Sequence, residues 1–271
     1  MRNGFTREIL GFIRDARRLF LFLDYDGTLV PLAPTPEEAR PSPQLLEMIE
    51  RLCALPETRV AVVSGRSIQD LKRFLPVFGL YLVGVHGLEI VYPTGETVVR
   101  GCKEDLQRWI DKLAEKLEVV LKGKRGFLIE NKNIALAVHY RLADPHQATE
   151  VLRHLYREVE PLIREAGFIA RSGKKVLEFC PAVGNKGDAV SFLLSQWPDA
   201  VPLYIGDDET DEDAFQAVAG KGLGVLVAEH PRPTNACFRL QNPREVASLL
   251  EEICRLRSAY NCTKENLLGR R

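Results

Sequence analysis

Residues 19–23 form an apolar, strand-like run that stops at Asp24-Tyr25-Asp26-Gly27-Thr28. No other feature limits the fold of this chain as much. Side chains alternate along a strand, so Asp24 and Asp26 are expected on one face and Tyr25 on the other. Gly27 lets the chain turn sharply. Two carboxylates leaving a strand end suit a hard cation such as Mg²⁺, which takes oxygen ligands and favours phosphate. One of the pair also has the chemistry of a carboxylate nucleophile. Acidic residues in a turn are equally common without any such role.

The run opens an alternation of strand and helix patterns. A Pro-rich loop (Pro31, Pro34, Pro36, Pro41, Pro43) precedes a helix carrying Leu45, Leu46, Ile49 and Leu52. A strand over 60–63, a helix around 68–75 and a strand over 80–83 follow. This rhythm predicts a parallel sheet with helices on its faces. Right-handed crossovers would gather the strand C-termini on one edge, where ligands of open α/β sheets bind. The pattern then changes to a helix over roughly 104–121, strands over 126–130 and 134–140, a helix over 146–166, and strands over 168–171 and 176–179. Helix-strand-strand, twice, predicts a small antiparallel α+β unit. The first rhythm resumes near Lys186. The expected architecture is a discontinuous α/β core of 1–99 and 179–271 with an α+β insert over 100–178, joined by linkers near Gly101 and Pro181. Phe5, Ile9, Phe12 and Ile13 have helical spacing and predict an amphipathic helix packed on the core. The polar end from Asn261 to Arg271 is expected to fray.

Composition narrows the function classes. Lys+Arg and Asp+Glu are both 37 in a chain of 271 residues, so formal net charge is zero. That argues against a broad nucleic-acid footprint while leaving room for a local anion pocket. No run approaches the roughly 18 apolar residues of a membrane span. The run before Asp24 is too short for the core of a signal peptide. The six cysteines (53, 102, 180, 237, 254, 262) show no Cys-x-x-Cys spacing. Reduced thiols in a cytoplasmic protein are therefore expected, not zinc or redox motifs.

Three further segments carry chemistry. Apolar residues 203–205 and Gly206 lead into Asp207, Asp208, Glu209, Thr210, Asp211, Glu212 and Asp213. This is no EF-hand loop, because the sixth position from Asp207 is Glu212 and not glycine. Thr210 with Asp213 reads as a capping box and accounts for part of the acidity. It leaves Asp207 and Asp208, ahead of that cap, unexplained. In a parallel sheet they should reach the edge that carries Asp24 and Asp26, where converging acids repel unless a cation is bound. Gly184-Asn185-Lys186-Gly187-Asp188 opens a helix, and a lysine beside such a site can neutralise a carboxylate nucleophile and bind phosphate. Ser64-Gly65-Arg66 ends the strand over 60–63. A hydroxyl and backbone N–H groups at that turn make an anion cradle, although a plain N-cap explains the piece equally well.

The order acid pair, serine, lysine, acid cluster resembles the four motifs of the haloacid dehalogenase (HAD) superfamily across nearly the whole chain. Within it, Asp-Tyr-Asp-Gly-Thr-Leu (24–29), Val-Ser-Gly-Arg (63–66), Val-His-Gly (85–87), Glu130-Asn131-Lys132, Leu-Ala-Val-His-Tyr-Arg (136–141), Asn-Lys-Gly (185–187) and Gly-Asp-Asp-Glu-Thr-Asp-Glu-Asp (206–213) are similar to trehalose-6-phosphate phosphatases. Phe179-Cys180-Pro181 departs from that pattern, which more often has a polar or basic residue after the position of Glu178. The resemblance implies an α/β, HAD-like Rossmannoid core with a parallel sheet and an inserted α+β cap of the C2 type. It implies Asp24 as nucleophile and Asp26 as general acid, then base. It also implies Mg²⁺ held by Asp24, Asp207 and the backbone carbonyl of Asp26, with Asp208 or Asp211 as direct or water-mediated partners. Ser64 and Lys186 would bind the phosphoryl oxygens, with Gly65 and Arg66 completing the anion cradle. Glu130, Lys132, Arg141, Lys174 and Glu178 are the candidates for sugar recognition, each nearly as well explained as a solvated strand-face charge. His86 and His139 are more simply structural. The implied partner is a small phosphosugar, with no nucleic acid and no membrane. A monomer is expected, with any synthase on a separate polypeptide. Sucrose 6-phosphate, glucosylglycerol phosphate and mannosylglycerate phosphate remain alternative substrates. A phosphohexomutase and an inactive sugar-phosphate sensor remain alternative roles.

Overall fold

The computed structural model describes residues 2–100, 106–182 and 185–268. The linker expected near Gly101, and Gly184 of the lysine motif, lie outside these residues. The chain forms two compact units, one of Met1–Leu32, Ala39–Val98 and Asn185–Arg271, the other of Ala33–Glu38 and Val99–Gly184.

The first unit opens with helix α1 (Arg2–Asp15) and strand β1 (Arg18–Leu23). Helix α2 (Pro43–Cys53), β2 (Thr58–Val63), α3 (Ile68–Phe74), β3 (Tyr81–Gly84), β4 (Glu89–Val91) and β5 (Thr97–Val99) follow. After the second unit come α6 (Lys186–Ser195), β10 (Ala200–Gly206), α7 (Glu212–Val218), β11 (Leu223–Val227), β12 (Phe238–Leu240) and α8 (Pro243–Leu268). The sheet order is β12-β11-β10-β1-β2-β3-β4-β5. The strands from β12 to β3 pair in parallel, and β4 turns antiparallel to β3. Strand β1 is central, and Leu19 through Leu23 are all fully buried, as a parallel strand covered on both faces requires. Helix α2 starts with Ser42 accepting from the Leu45 N–H and with Pro43 in the first turn, a start that satisfies a free donor and removes another. Its buried residues Leu45, Ile49 and Leu52 lie one turn apart on the face turned to the core.

In α1, Ile9 and Ile13 are buried as their spacing predicts, while Phe12 is partly exposed; the side chain of Phe5 lies outside the described residues. The end expected to fray from Asn261 is helical as far as Leu268. Among the described side chains of α8, Arg257 is polar and fully buried. Arg257 donates to the backbone carbonyls of Ala16, Arg17 and Glu57, tying α8 to the starts of β1 and β2. Carbonyls at strand starts have no ladder partner on one side, and a buried guanidinium satisfies several at once.

The second unit contains α4 (Leu106–Leu121), β6 (Leu128–Asn131), β7 (Leu136–His139), α5 (Pro145–Glu165), β8 (Phe168–Gly173) and β9 (Val176–Pro181). Its antiparallel sheet runs β6-β7-β9-β8. Ile110, Leu113, Leu117 and Leu121 form the buried stripe of α4. They pack with Leu155 and Val159 of α5 on a sheet face that includes Leu136, Val138 and Phe179. The alternate residues face the other way. The strand register sets Glu130, Ala137, Glu178 and Arg171 in one row across the four strands of that second face. No helix among the described residues is long and apolar enough to cross a membrane.

Candidate active site

Strands β1, β2 and β10 are neighbours in the parallel sheet, so their C-terminal ends deliver Asp24, Ser64 and Asp207 to one edge. Asp24 continues the ladder by donating its N–H to the Ile205 carbonyl at 2.8 Å. Oxygens of Asp24, Asp207 and Asp211 lie within 4.8 Å of one another, and all three residues are buried. Gly27 has φ +83°, and a Cβ there would collide with the Asp207 carboxylate. A Cβ on Gly206 would collide with Asp211. Both glycines are fixed by the packing of this acidic group.

Lys186, the first residue of α6, reaches into the group. Its ammonium donates to Asp24 Oδ1 and to Asp211 Oδ1, each at 2.7 Å, and its side chain is 3% exposed. Asn185 caps α6 by accepting from the Asp188 N–H, which leaves Lys186 in the first turn and aimed at the acids. Asp211 is saturated. Its Oδ1 accepts from Lys186 and from the Tyr204 hydroxyl, and its Oδ2 accepts from the N–H groups of Asp207 and Asp208. A carboxylate offers about four acceptor sites, and Asp211 uses that many.

The charges are unequal. Burial drives the Asp211 carboxyl upward, but the Lys186 charge, the bonds from Lys186 and Tyr204 and the backbone N–H outweigh it and hold Asp211 below the usual range. Burial raises Asp24 well above its ordinary value; Lys186 opposes the rise, and Asp211 and Asp207 add to it. Lys186 is shared by two of the three buried carboxylates, and the donor set is all oxygen. These residues fit a hard divalent cation such as Mg²⁺. Asp211 holds Lys186 and the Asp207-Asp208 backbone in place.

Other expected site residues stand differently. Strand β1 ends at Leu23, ahead of both acids, and Asp26 forms an isolated bridge with Val30. The Asp26 carboxylate pairs with Arg66. Asp208 is itself a cap: it accepts from the Glu209 N–H, and Asp211 reaches back to its backbone. The capping box is therefore Asp208 with Asp211, not Thr210 with Asp213. The helical turn begins two residues earlier than expected, as a 3-10 turn over Glu209–Asp211. Ser64 is buried, accepts from the Arg66 N–H and keeps its own O–H to donate. The turn after β3 is strained, with Val85 and His86 at φ +47° and +54°. Their N–H groups bond the Arg66 and Ser64 carbonyls, fixing the Ser64–Arg66 backbone. Neither that strain nor the role of Tyr204 had a signal in the sequence.

In the second unit, Lys132 Nζ lies 2.6 Å from Glu178 Oε2, both deeply buried, and His139 Nε2 lies 2.6 Å from Glu130 Oε2. Burial alone would lower Lys132, but the Glu178 and Glu130 charges raise it. Burial alone would raise Glu130, but the His139 bond and the Lys132 charge lower it. Arg141 instead donates to the Lys174 carbonyl at 2.9 Å. The structure thus joins Glu130, Lys132 and Glu178, adds His139, and sets Arg141 against the Lys174 backbone.

A sequence model described as "Trehalose-phosphatase" matches residues 22–244. "Trehalose-phosphate phosphatase B" of Arabidopsis thaliana is 35% identical over 253 residues, 88% of this chain and 66% of that protein. A "Bifunctional trehalose-6-phosphate synthase/phosphatase" of Thermoproteus tenax is 38% identical over 238 residues, 88% of this chain and 32% of that protein. This chain thus spans just under two thirds of the first relative and about a third of the second. The C-terminal domain of a Candida albicans trehalose-6-phosphate phosphatase superposes with TM-score 0.83 at 25% identity, over 93% of this chain and 97% of that one. A haloacid dehalogenase-like hydrolase of Bacteroides thetaiotaomicron shares the fold, with TM-score 0.61 at 18% identity over 88% of this chain and 100% of that one.

Proposed function

The chain belongs to the trehalose-phosphatase family, and we propose that it is a Mg²⁺-dependent phosphatase hydrolysing trehalose 6-phosphate to trehalose and phosphate. One observation carries this reading: a buried ammonium bridges Asp24 and Asp211, with Asp207 alongside, at the C-terminal edge of the parallel sheet.

Asp24 is the nucleophile. The oxygen that Lys186 does not cover attacks phosphorus in line and forms an aspartyl-phosphate. Lys186 fixes the Asp24 rotamer and offsets its charge, so that a phosphate dianion can approach. The Ser64 hydroxyl and the Gly65 turn bind phosphoryl oxygens. Asp26 protonates the leaving sugar oxygen and then takes a proton from the water that hydrolyses the acyl-phosphate. Asp24, Asp207 and the Asp26 carbonyl would hold Mg²⁺, with Asp208 alongside. When bound it offsets charge on the phosphoryl oxygens. The α+β insert acts as the cap. Its Glu130, Lys132, Arg141, Lys174 and Glu178 bind sugar hydroxyls, which call for paired donors and acceptors. The protein is read as a cytoplasmic monomer that is functionally coupled to a synthase.

The test is phosphate release with Mg²⁺ from trehalose 6-phosphate, sucrose 6-phosphate, glucose 6-phosphate, glucosylglycerol phosphate and mannosylglycerate phosphate. Trehalose 6-phosphate is expected to be preferred by at least about tenfold in kcat/KM, a difference of about 1.4 kcal/mol in transition-state binding. Preference for another of these sugars would overturn the substrate and keep the Asp24 chemistry. Release from none would overturn the reaction.

A further inference from the structure

Arg66 follows Ser64 and Gly65 in the stretch expected to cradle phosphate, but its guanidinium is committed to another partner. Nε donates to Asp26 Oδ2 and Nη2 to Asp26 Oδ1, both at 2.7 Å. Such a fork fixes the plane of a carboxylate as well as its distance. The Arg66 side chain is 7% exposed and that of Asp26 34%, so the arginine is the anchored half. Two rings hold it. Its guanidinium carbon lies 5.0 Å from the Tyr25 centroid and 5.1 Å from the Phe74 centroid, and the rings are parallel to within 8°. Tyr25 is itself fixed by its hydroxyl, which donates to the Ala39 carbonyl at 2.8 Å. The Arg66 backbone is tied at both ends, donating to Ser64 Oγ and accepting from the Val85 N–H.

We infer that Arg66 is a positioning residue for Asp26, holding its carboxylate at one angle outside the Asp24–Asp207–Asp211 group. In-line displacement places the leaving oxygen on the side of phosphorus opposite the nucleophile. An acid that serves that oxygen therefore belongs outside the group. A half-exposed aspartate with no fork would sample several rotamers, and misplacement by about 1 Å costs roughly a hundredfold in rate. Lysine cannot substitute, because it is a point charge with no planar fork and no stacking face. The inference rests on the acid role proposed for Asp26, so its test must separate the two.

The experiment measures first-turnover release of the leaving group, with Mg²⁺, from trehalose 6-phosphate and from p-nitrophenyl phosphate. The sugar must be protonated to leave, whereas p-nitrophenolate leaves without a proton. Asp26→Asn is the reference: it should slow trehalose release by about 10²- to 10⁴-fold and the p-nitrophenol burst far less. Arg66→Lys is expected to lower the ratio of the two rates by roughly ten- to a hundredfold. The double variant should be no slower with the sugar substrate than Asp26→Asn alone, because Arg66 acts through Asp26. If Arg66→Lys slows both substrates equally while Asp26→Asn stays selective, Arg66 serves the phosphoryl group or the fold, and the inference is overturned. If Asp26→Asn slows both equally, the acid role fails and the inference fails with it. Should Arg66→Lys not fold, Phe74→Leu decides instead, since it removes one ring and no charge. A lowered ratio supports the positioning role, and an unaltered ratio overturns it.

Discussion

Each unit buries a lysine among carboxylates, and the two networks differ in their partners. In the first, Lys186 meets Asp24 and Asp211 with Asp207 close by. In the second, Lys132 meets Glu178 and Glu130, and Glu130 is also held by His139. The all-oxygen cluster in the first has the donor set of a hard-cation site. Under the proposed function, the second would meet uncharged hydroxyls, which respond to oriented donors and acceptors more than to net charge. The same residue types would then serve a reaction centre on a parallel sheet edge and a reading surface on an antiparallel sheet face.

The largest effect should break the symmetry outright. Asp24→Asn is expected to lower kcat for phosphate release by at least about 10⁴-fold, as removal of a covalent nucleophile does. Glu178→Gln should act mainly on KM, in the same steady-state assay. Equal losses of kcat in both would erase the distinction between the networks.

The two lysines give the next largest effect. Lys186→Met and Lys132→Met each strand buried carboxylates and should each cost about 3–5 kcal/mol, read by urea unfolding. Mg²⁺ should restore part of the loss in Lys186→Met and none in Lys132→Met. The chain has two tryptophans, Trp109 in the second unit and Trp197 in the first. Trp197→Phe and Trp109→Phe backgrounds would report each unit separately.

A smaller effect follows from metal alone. Mg²⁺ at about 100 times its Kd should stabilise the first unit by about 2.7 kcal/mol. Asp207→Asn should remove most of that gain, and Glu178→Gln should leave it intact. Thermal unfolding followed through Trp197 decides.

The smallest effect is the pH dependence of the second network. Lys132 is raised in the folded state, so its contribution is complete below the ordinary lysine value and is lost as pH rises through the raised one. Glu130 is lowered, so its contribution is complete above the ordinary glutamate value and is lost as pH falls through the lowered one. Stability followed through Trp109 should be flat across neutral pH. Lys132→Met should flatten the alkaline fall and Glu130→Gln the acid one.

The sequence made the framework legible where local pattern and global fold agree. The strand-helix rhythm announced the parallel sheet, and the helix-strand-strand repeat announced the antiparallel one. Asp24, Ser64, Lys186 and Asp207 were legible because strand ends and helix starts place them. Local rules failed where a turn intervened. The strand pattern stops at Leu23, so the pairing of Asp26 with Arg66 had no local signal. The acidic run 207–213 fits two capping registers, and only the approach of Tyr204 and Lys186 selects Asp208 with Asp211. The Arg66–Asp26 pair spans forty positions and depends on a Tyr25–Phe74 platform that no short-range pattern encodes. In the second unit, Lys132 and Glu178 meet only because β6, β7 and β9 pair in one register.

The place of β1 bears on how the chain is made. Its partner β10 begins at Ala200, opposite Arg18, and Arg257 closes over Ala16 and Arg17 later still. A ribosome adding about 5–20 residues per second would need roughly 10–35 s to cover the interval between those two strands. Throughout that time the strand leading to Asp24 has an open hydrogen-bonding edge. The nascent chain therefore carries this apolar strand with one edge uncovered, β2 on the other, until its last quarter emerges, and Arg257 is among the final contacts to seal it.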